Sequence, residues 1–439
     1  FKGGTMSLKT LLMPMITQHR FARSTLLAKR AQAERNRLAS GRPHQVHYFH
    51  QIDDPYSHLV AQALPRLLSR YNIELTPHVV SPPPDSAAPE RGKLVTFSRV
   101  DAALLAQHHG LNFTDQNKQP DTEYCQQATH AMVAAIEAGQ FAELASAVGQ
   151  WLWATDDSQP WPEQCNTLKP VSSHAVRAHV VQADGLREKL GHYLGGMLYY
   201  EGEWYWGVDR LYHLEQRLQE LGAQRSGAIG LLFPADDGLK QIKPIDNPPA
   251  IDFFFSFRSP YSAIVAPRIF ELGRLTGAKI NLRFVLPMVM RGLPVPKVKR
   301  EYIVHDTARE AHVRGVPFGR LNDPVGKPTE RGLALVPFAE QHGKGQEFVL
   351  AFMQGVWAEG IDAGSDKGLR KIVERAGLPW NGAQAALQDD IWWDTAQTNR
   401  EELFALGLWG VPSFKVGNAV LWGQDRLWAV HNALCTQSA

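Results

Sequence analysis

The sequence predicts an α/β protein built as two tandem domains of one architecture, each a mixed sheet interrupted by a block of helices. Three shared patterns carry that expectation. Val46 to Ala61 and Ile251 to Ala266 both run from an apolar strand through x-Pro-Tyr-Ser to the x-x-Val-Ala of an amphipathic helix. Gln150-Trp151-Leu152-Trp153-Ala154 has a counterpart in Gln354-Gly355-Val356-Trp357-Ala358. Tyr200 to Leu211 and Val416 to Leu427 are both hairpins that close on Trp-Gly-x-Asp-Arg-Leu. Three local patterns in the same order point to an internal duplication.

The elements follow in chain order. Met6 is the expected natural start, with Phe1 to Thr5 foreign to it. Residues 6–42 carry eight Lys/Arg and one acidic residue, interleaved with leucines and Ile16. They are read as a basic amphipathic helical segment packed on the body, with peripheral contact to an anionic membrane as the alternative. The apolar run Leu11 to Ile16 is broken by Pro14 and is too short to span a bilayer. Residues 43–233 form the first domain, 234–249 a Pro-rich linker, and 250–439 the second domain. In each domain a strand and helix lead to a second strand, Ile73 to Val80 or Lys279 to Leu286. The intervening helix makes those two strands parallel, whereas the final hairpin is antiparallel. Ala228 to Phe233 reads as one extra strand. Gly364-Ser365-Asp366 reads as a helix start and Ala376-Gly377-Leu378-Pro379 as a helix stop.

Composition narrows the function. A chain of 439 residues with net charge +2, 44% hydrophobic and 21% charged, is long enough for two or three full cores and gives no global signal for nucleic acid. Cys125, Cys165 and Cys435 are widely spaced and form no C-x-x-C. That disfavours structural disulfides and zinc, and fits a reducing, cytoplasmic setting.

The candidate chemistry lies in Phe257-Arg258-Ser259-Pro260-Tyr261-Ser262. Serine before proline at a strand-to-helix turn is a good helix start, and free N–H groups with the helix dipole make the same place an anion site. This strand and S-P-Y-S, a helical insertion, Gly410-Val411-Pro412 and the Trp422-Gly423-Gln424-Asp425-Arg426 hairpin end together resemble the 2-hydroxychromene-2-carboxylate isomerases and kappa-class glutathione transferases. These form a branch of the DsbA-like thioredoxin fold. The second half matches from about Ile251 to Leu434, including Lys299-Arg300-Glu301-Tyr302 through Asp306, Arg309, Gly315 and Pro317. The first half matches in outline.

The resemblance implies two tandem thioredoxin-like domains, each with a helical insertion, and glutathione as cofactor. Ser259 and Ser262 stand where a dithiol enzyme keeps C-x-x-C, so thiol–disulfide exchange by the protein itself is close to excluded. Ser259 is implied to hold the glutathione sulfur as a thiolate, which adds to a small electrophilic substrate. Pro412 is implied to be cis, turning the Val411 backbone toward the tripeptide; Gln424 and Asp425 are implied to receive its γ-glutamyl end. Against each stands a plain structural role: a helix cap, a turn proline, a surface ion pair. Arg258, Tyr261, Ser262, Lys299 and Trp357, with Arg283, Arg300, Trp392 and Trp393, are weaker candidates for a substrate pocket. Arg258 is unusual, because the isomerases commonly carry an uncharged residue there. It adds positive potential or pairs with a carboxylate substrate.

The first half departs from the pattern at two places. Asp54 replaces the serine and would repel a thiolate, and Gly196 replaces the proline. This half is expected to stand in for a second subunit as an internal pseudo-dimer. A metal or acid/base site from His47, His50, Asp53 and Asp54 lacks convincing spacing. The leading expectation is a glutathione-dependent isomerase or transferase. A non-catalytic scaffold of the same fold is the alternative, and a disulfide oxidoreductase comes third.

Overall fold

A computed structural model describes residues 8–154, 160–227, 229–236 and 238–437. Met6 lies outside them. The chain divides into two compact units. Lys29–Ala235 with Pro296–Lys299 form the first, and the remaining described residues form the second.

The helices are α1 (Leu8–Phe21), α2 (Arg23–Ala39), α3 (Pro55–Arg70), α4 (Arg91–His109), α5 (Thr122–Glu137), α6 (Phe141–Trp153), α7 (Ser173–Lys189) and α8 (Leu211–Glu220). They continue with α9 (Pro260–Thr276), α10 (Lys297–Val313), α11 (Lys327–Gln341), α12 (Gly345–Trp357), α13 (Asp366–Arg375), α14 (Trp380–Ala386), α15 (Ile391–Ala405) and α16 (Leu427–Gln437). The first sheet holds β1 (Gln45–Gln51), β2 (Glu74–Val80), β3 (Met197–Tyr200) and β4 (Glu203–Trp206) in the order β2-β1-β3-β4. The second holds β5 (Ile251–Phe255), β6 (Ile280–Phe284), β7 (Ser413–Val416) and β8 (Ala419–Trp422) in the order β6-β5-β7-β8.

The two sheets repeat each other. In each, the central strand pairs parallel with the strand reached through a crossover helix, and antiparallel with the hairpin. These are two thioredoxin-like domains in one chain. β5 is apolar apart from Asp252, whereas β1 sets His47 and His50 among Val46, Tyr48 and Phe49. In β5, Phe253 stacks on Phe255 and Phe414 and meets Phe270 of α9 edge-on. Phe257, just past the strand, lies against Phe352 of α12. One side-chain pair repeats with the fold. Tyr56 donates to Asp101 at 2.8 Å and Tyr261 to Asp306 at 2.7 Å, in each case across 45 residues.

The expected strand from Ala228 to Phe233 does not form over the described residues 229–233. A buried carboxylate takes the place of a strand partner. Glu215 of α8 accepts from the Leu232 N–H at 3.0 Å and the Phe233 N–H at 3.4 Å, and from Tyr71 Oη at 3.0 Å. Backbone donors satisfied by a side chain need no sheet.

The basic N-terminal segment forms two helices, and its cations find partners in their own units. Arg30 and Arg42 pair with Glu203 and Glu201 in the first unit, and Arg20 pairs with Glu301 in the second. α1 faces the second unit with Pro14 and Thr17, and it leaves Leu12, Met15 and Ile16 exposed. Among the described residues, no helix is long and apolar enough to cross a membrane.

The first unit buries several neutral imidazoles. Desolvation pushes His50 down to about 3, and His58 and His78 to about 4, from an ordinary 6.5. Native protein therefore binds fewer protons than unfolded chain between those values and 6.5, so stability falls as pH drops through that window. Asp54, raised by burial from 3.8 to about 6, opposes this, as do Glu215 and Glu340, which burial also raises, while His44, His47 and His179, all lowered by desolvation, add to it. We expect the denaturant midpoint of the full chain to fall steadily from pH 6.5 to pH 4. A flat profile over that range would contradict this picture of the histidines.

Candidate active site at the start of α9

Ser259 follows β5 and caps α9. Its Oγ accepts the Ser262 N–H at 3.1 Å and donates to the Val411 carbonyl at 3.2 Å. Pro260 supplies the first helical turn, where no N–H is needed. The hydroxyl thus lies between a helix N-terminus and the loop that enters β7. The Val411–Pro412 bond is cis, as the resemblance implied. Pro412 is buried, and its carbonyl accepts the Gly423 N–H at 3.0 Å, which ties the loop to the end of β8. Gly410 has no room for a side chain, since a Cβ there would lie 2.1 Å from Trp422 Cζ2.

The hairpin end is built differently from the expectation. α16 opens at Leu427, not at Gln424. Gln424 is buried in a charged network in which Arg268 donates to its carbonyl at 2.9 Å and to its side-chain oxygen at 3.0 Å. Its amide nitrogen donates to Glu310 at 2.8 Å, and Glu310 pairs with Arg314. These bonds hold the Gln424 side chain inside the domain, 2% exposed. Asp425 pairs with Arg426 at 3.1 Å. Its Oδ1 would be 2.7 Å from a Cβ at Gly423, where φ is +123°, so the turn requires glycine there.

The remaining candidates fall in different places. Tyr261 is held by Asp306, which also accepts from Arg309 at 2.8 Å. Ser262 is fully buried, and its Oγ has no hydrogen-bond partner. Trp357 is buried and donates its indole N–H to the Phe257 carbonyl at 2.9 Å, bracing the turn from behind. Arg258 is clamped by Asp323 through both Nε and Nη2, at 2.7 and 2.8 Å. Lys299 belongs to the first unit, donating to the Ala87 carbonyl at 2.9 Å, and desolvation lowers it to about 8. Arg283 pairs with Asp252 on the sheet, and Arg300 is exposed. Trp392 and Trp393 line a shallow depression of about 560 Å³ with Asp389, Asp390, Ile391 and Asp394.

Sequence reasoning named Asp306 only within the stretch shared with the isomerases, without its pairing to Tyr261, and missed Asp323. That pairing was detectable, because Asp101 stands equally far beyond Tyr56. Nothing in the sequence pairs Asp323 with Arg258.

At the equivalent place in the first unit, Asp54 accepts from the Ser57 N–H at 2.8 Å and Ser57 Oγ at 2.7 Å. Gly196 has φ +63°, and a Cβ there would lie 3.3 Å from Asp54 Oδ2. Its carbonyl accepts from the Gly207 N–H at 2.8 Å, as that of Pro412 does from Gly423. The scaffold is kept while a carboxylate occupies the helix start. Among the described residues, no group of three His, Cys, Asp or Glu is arranged to hold a metal.

Comparison with known proteins finds relatives of the second half of the chain. Residues 250–435 match the family model of the DSBA-like thioredoxin domain, so the C-terminal half is a domain of that kind. The 2-hydroxychromene-2-carboxylate isomerase of Sphingobium xenophagum is 26% identical over 187 residues, covering 40% of this chain and 93% of the relative. The Pseudomonas putida isomerase is 24% identical over 200 residues, covering 43% and 97%. A solved 2-hydroxychromene-2-carboxylate isomerase structure is 23% identical, covers 43% of this chain and 97% of its own, and has a TM-score of 0.38.

Two substitutions separate scaffold from site. Ser259→Ala removes one helix cap and is expected to cost about 1 kcal/mol in a denaturation experiment. Gly410→Ala forces a Cβ into Trp422 and is expected to cost more, on the order of 1–3 kcal/mol. If the two cost the same, the packing described around Trp422 is wrong.

Proposed function

We propose that the second domain is a glutathione-dependent isomerase or transferase acting on a small electrophile. The observation that carries this reading is a lone hydroxyl, Ser259, set between the α9 N-terminus and the Val411 carbonyl, with no cysteine in the Ser259-Pro260-Tyr261-Ser262 turn. When the tripeptide binds, the Ser259 proton turns from the Val411 oxygen to the incoming sulfur. A hydrogen bond to a charged partner is worth about 1.5–3 kcal/mol, and the helix dipole adds to it. Both favour thiolate over thiol. The thiolate adds to an electrophilic carbon, forming a C–S bond while the π electrons move onto the acceptor. Rotation and expulsion of the sulfur give an isomer and return glutathione unchanged; protonation instead gives a conjugate.

The Val411 carbonyl and N–H border this position and suit an extended cysteinyl backbone added alongside. For the γ-glutamyl end, the Asp425 carboxylate is the better candidate, because the Gln424 side chain is buried and bonded to Arg268 and Glu310. Gln424 and the altered first unit favour the second reading, a binding or scaffold protein of the same fold. The relatives named as isomerases support the first. A disulfide oxidoreductase role has no dithiol to carry it.

Titration calorimetry with glutathione, together with the ultraviolet absorbance of the bound thiolate, separates the readings. Wild-type protein is expected to bind glutathione and show thiolate absorbance at pH 7. Ser259→Ala should keep most of the binding and lose most of that absorbance. An insulin-reduction assay should stay at background. No heat of binding to the wild type would favour the scaffold.

A further inference from the structure

Arg258 stands one residue before Ser259, and the carboxylate it holds in this structure belongs to the protein itself. Its Nε and Nη2 both bind the Asp323 carboxylate, at 2.7 and 2.8 Å, in the fork geometry that guanidinium and carboxylate share. The two partners are unequally solvated. The Arg258 side chain is 16% exposed and that of Asp323 is 52% exposed. The acid can turn into water at little cost, whereas the guanidinium needs a replacement.

The backbone around Asp323 is fixed. Leu321 N–H donates to Thr17 Oγ1 of α1 at 2.9 Å, and Asn322 N–H donates to the Val356 carbonyl at 2.8 Å. Asn322 also reaches the Gly360 carbonyl at 3.3 Å. Pro14 of α1 packs on Gly360, and Phe21 packs on Gly319. Release of Arg258 therefore needs only a side-chain rotation of Asp323, with the loop left in place.

Another pair sharpens the point. Arg331 and Asp366 show the same unequal exposure, 13% and 73%, but Arg331 also donates to the Gly364 carbonyl at 2.8 Å. Arg331 would stay partnered if its aspartate left. Among the described residues, Arg258 has only Asp323.

We propose that Arg258 is the carboxylate receptor of this active site, with Asp323 as a resident stand-in that an incoming carboxylate displaces. This rests on the glutathione reading for its setting, and it names the residue pair that would govern carboxylate binding there. Two sources bring that group to Ser259: the acceptor itself, as an unsaturated carboxylic acid, and the glycyl end of the tripeptide. In either case a bidentate bond at Arg258 fixes one end of the ligand beside the hydroxyl. For an unsaturated acid it also lies where charge gathers as sulfur adds.

The test measures four ligands by calorimetry on the full chain: cinnamate, cinnamamide, glutathione and its glycyl ethyl ester. The variants are Asp323→Asn, Arg258→Gln and the double variant. Asp323→Asn is expected to tighten one carboxylate ligand by about tenfold, and Arg258→Gln to weaken it by at least about as much. The double variant should show no gain from the asparagine. A gain for cinnamate and not cinnamamide assigns the acceptor; a gain for glutathione and not its ester assigns the tripeptide. If Asp323→Asn leaves every affinity unchanged or lower, or no ligand binds it, Asp323 is a structural partner and the proposal falls. Should Asp323→Asn fail to fold, Asp323→Ser makes the same comparison. Cinnamate is measured with and without glutathione, so failure of glutathione to bind sinks the enzymatic reading without deciding this one.

Discussion

The hydrogen bond from Ser259 to the Val411 carbonyl joins the two parts on which the second domain's site depends. On one side is the start of α9, whose dipole gives a favourable potential for negative charge. On the other is the loop into β7, which is tied in turn to β8 through Pro412 and Gly423. One short side chain spans them at 3.2 Å. A cysteine would place a redox-active sulfur there. A serine leaves a proton donor that cannot enter a disulfide.

Around this bond the protein is stiff, with each support coming from a different element. α12 contributes the Trp357 indole to the Phe257 carbonyl. α10 contributes Asp306 to Tyr261 and Glu310 to Gln424. In the buried Arg268–Gln424–Glu310–Arg314 network, Glu310 pairs with Arg314 while Gln424 bridges Glu310 to Arg268. Its place under the hairpin explains why a residue that resembles a ligand contact is an internal strut.

How far the sequence disclosed this can be judged residue by residue. The duplication was legible because strand, turn and hairpin motifs are local, and their order survives divergence. Ser259 as a helix cap was legible for the same reason: serine before proline after an apolar run needs no tertiary knowledge. The Asp323–Arg258 clamp and the engagement of Gln424 were not, because each joins residues distant in sequence, and side-chain pairing leaves no periodic trace. The false strand at Ala228 to Phe233 shows the same limit from the other direction. Its apolar pattern is genuine, but its backbone donors go to Glu215, which lies in the preceding helix and carries no local signal.

The first domain shows what it takes to close such a site for good. Asp54 has its carboxylate on the helix-start donors, and Gly196 sits beside it at φ +63°. Proline holds φ near about −65°, so a prolyl ring cannot return at 196 without turning the backbone, and a Cβ there crowds Asp54. Nor does serine at 54 alone restore the neighbouring loop. Each reversion is fruitless until the other has happened, and drift back toward activity must cross a valley two changes wide. Such a lock sets the two copies on separate courses, since neither change can be undone alone.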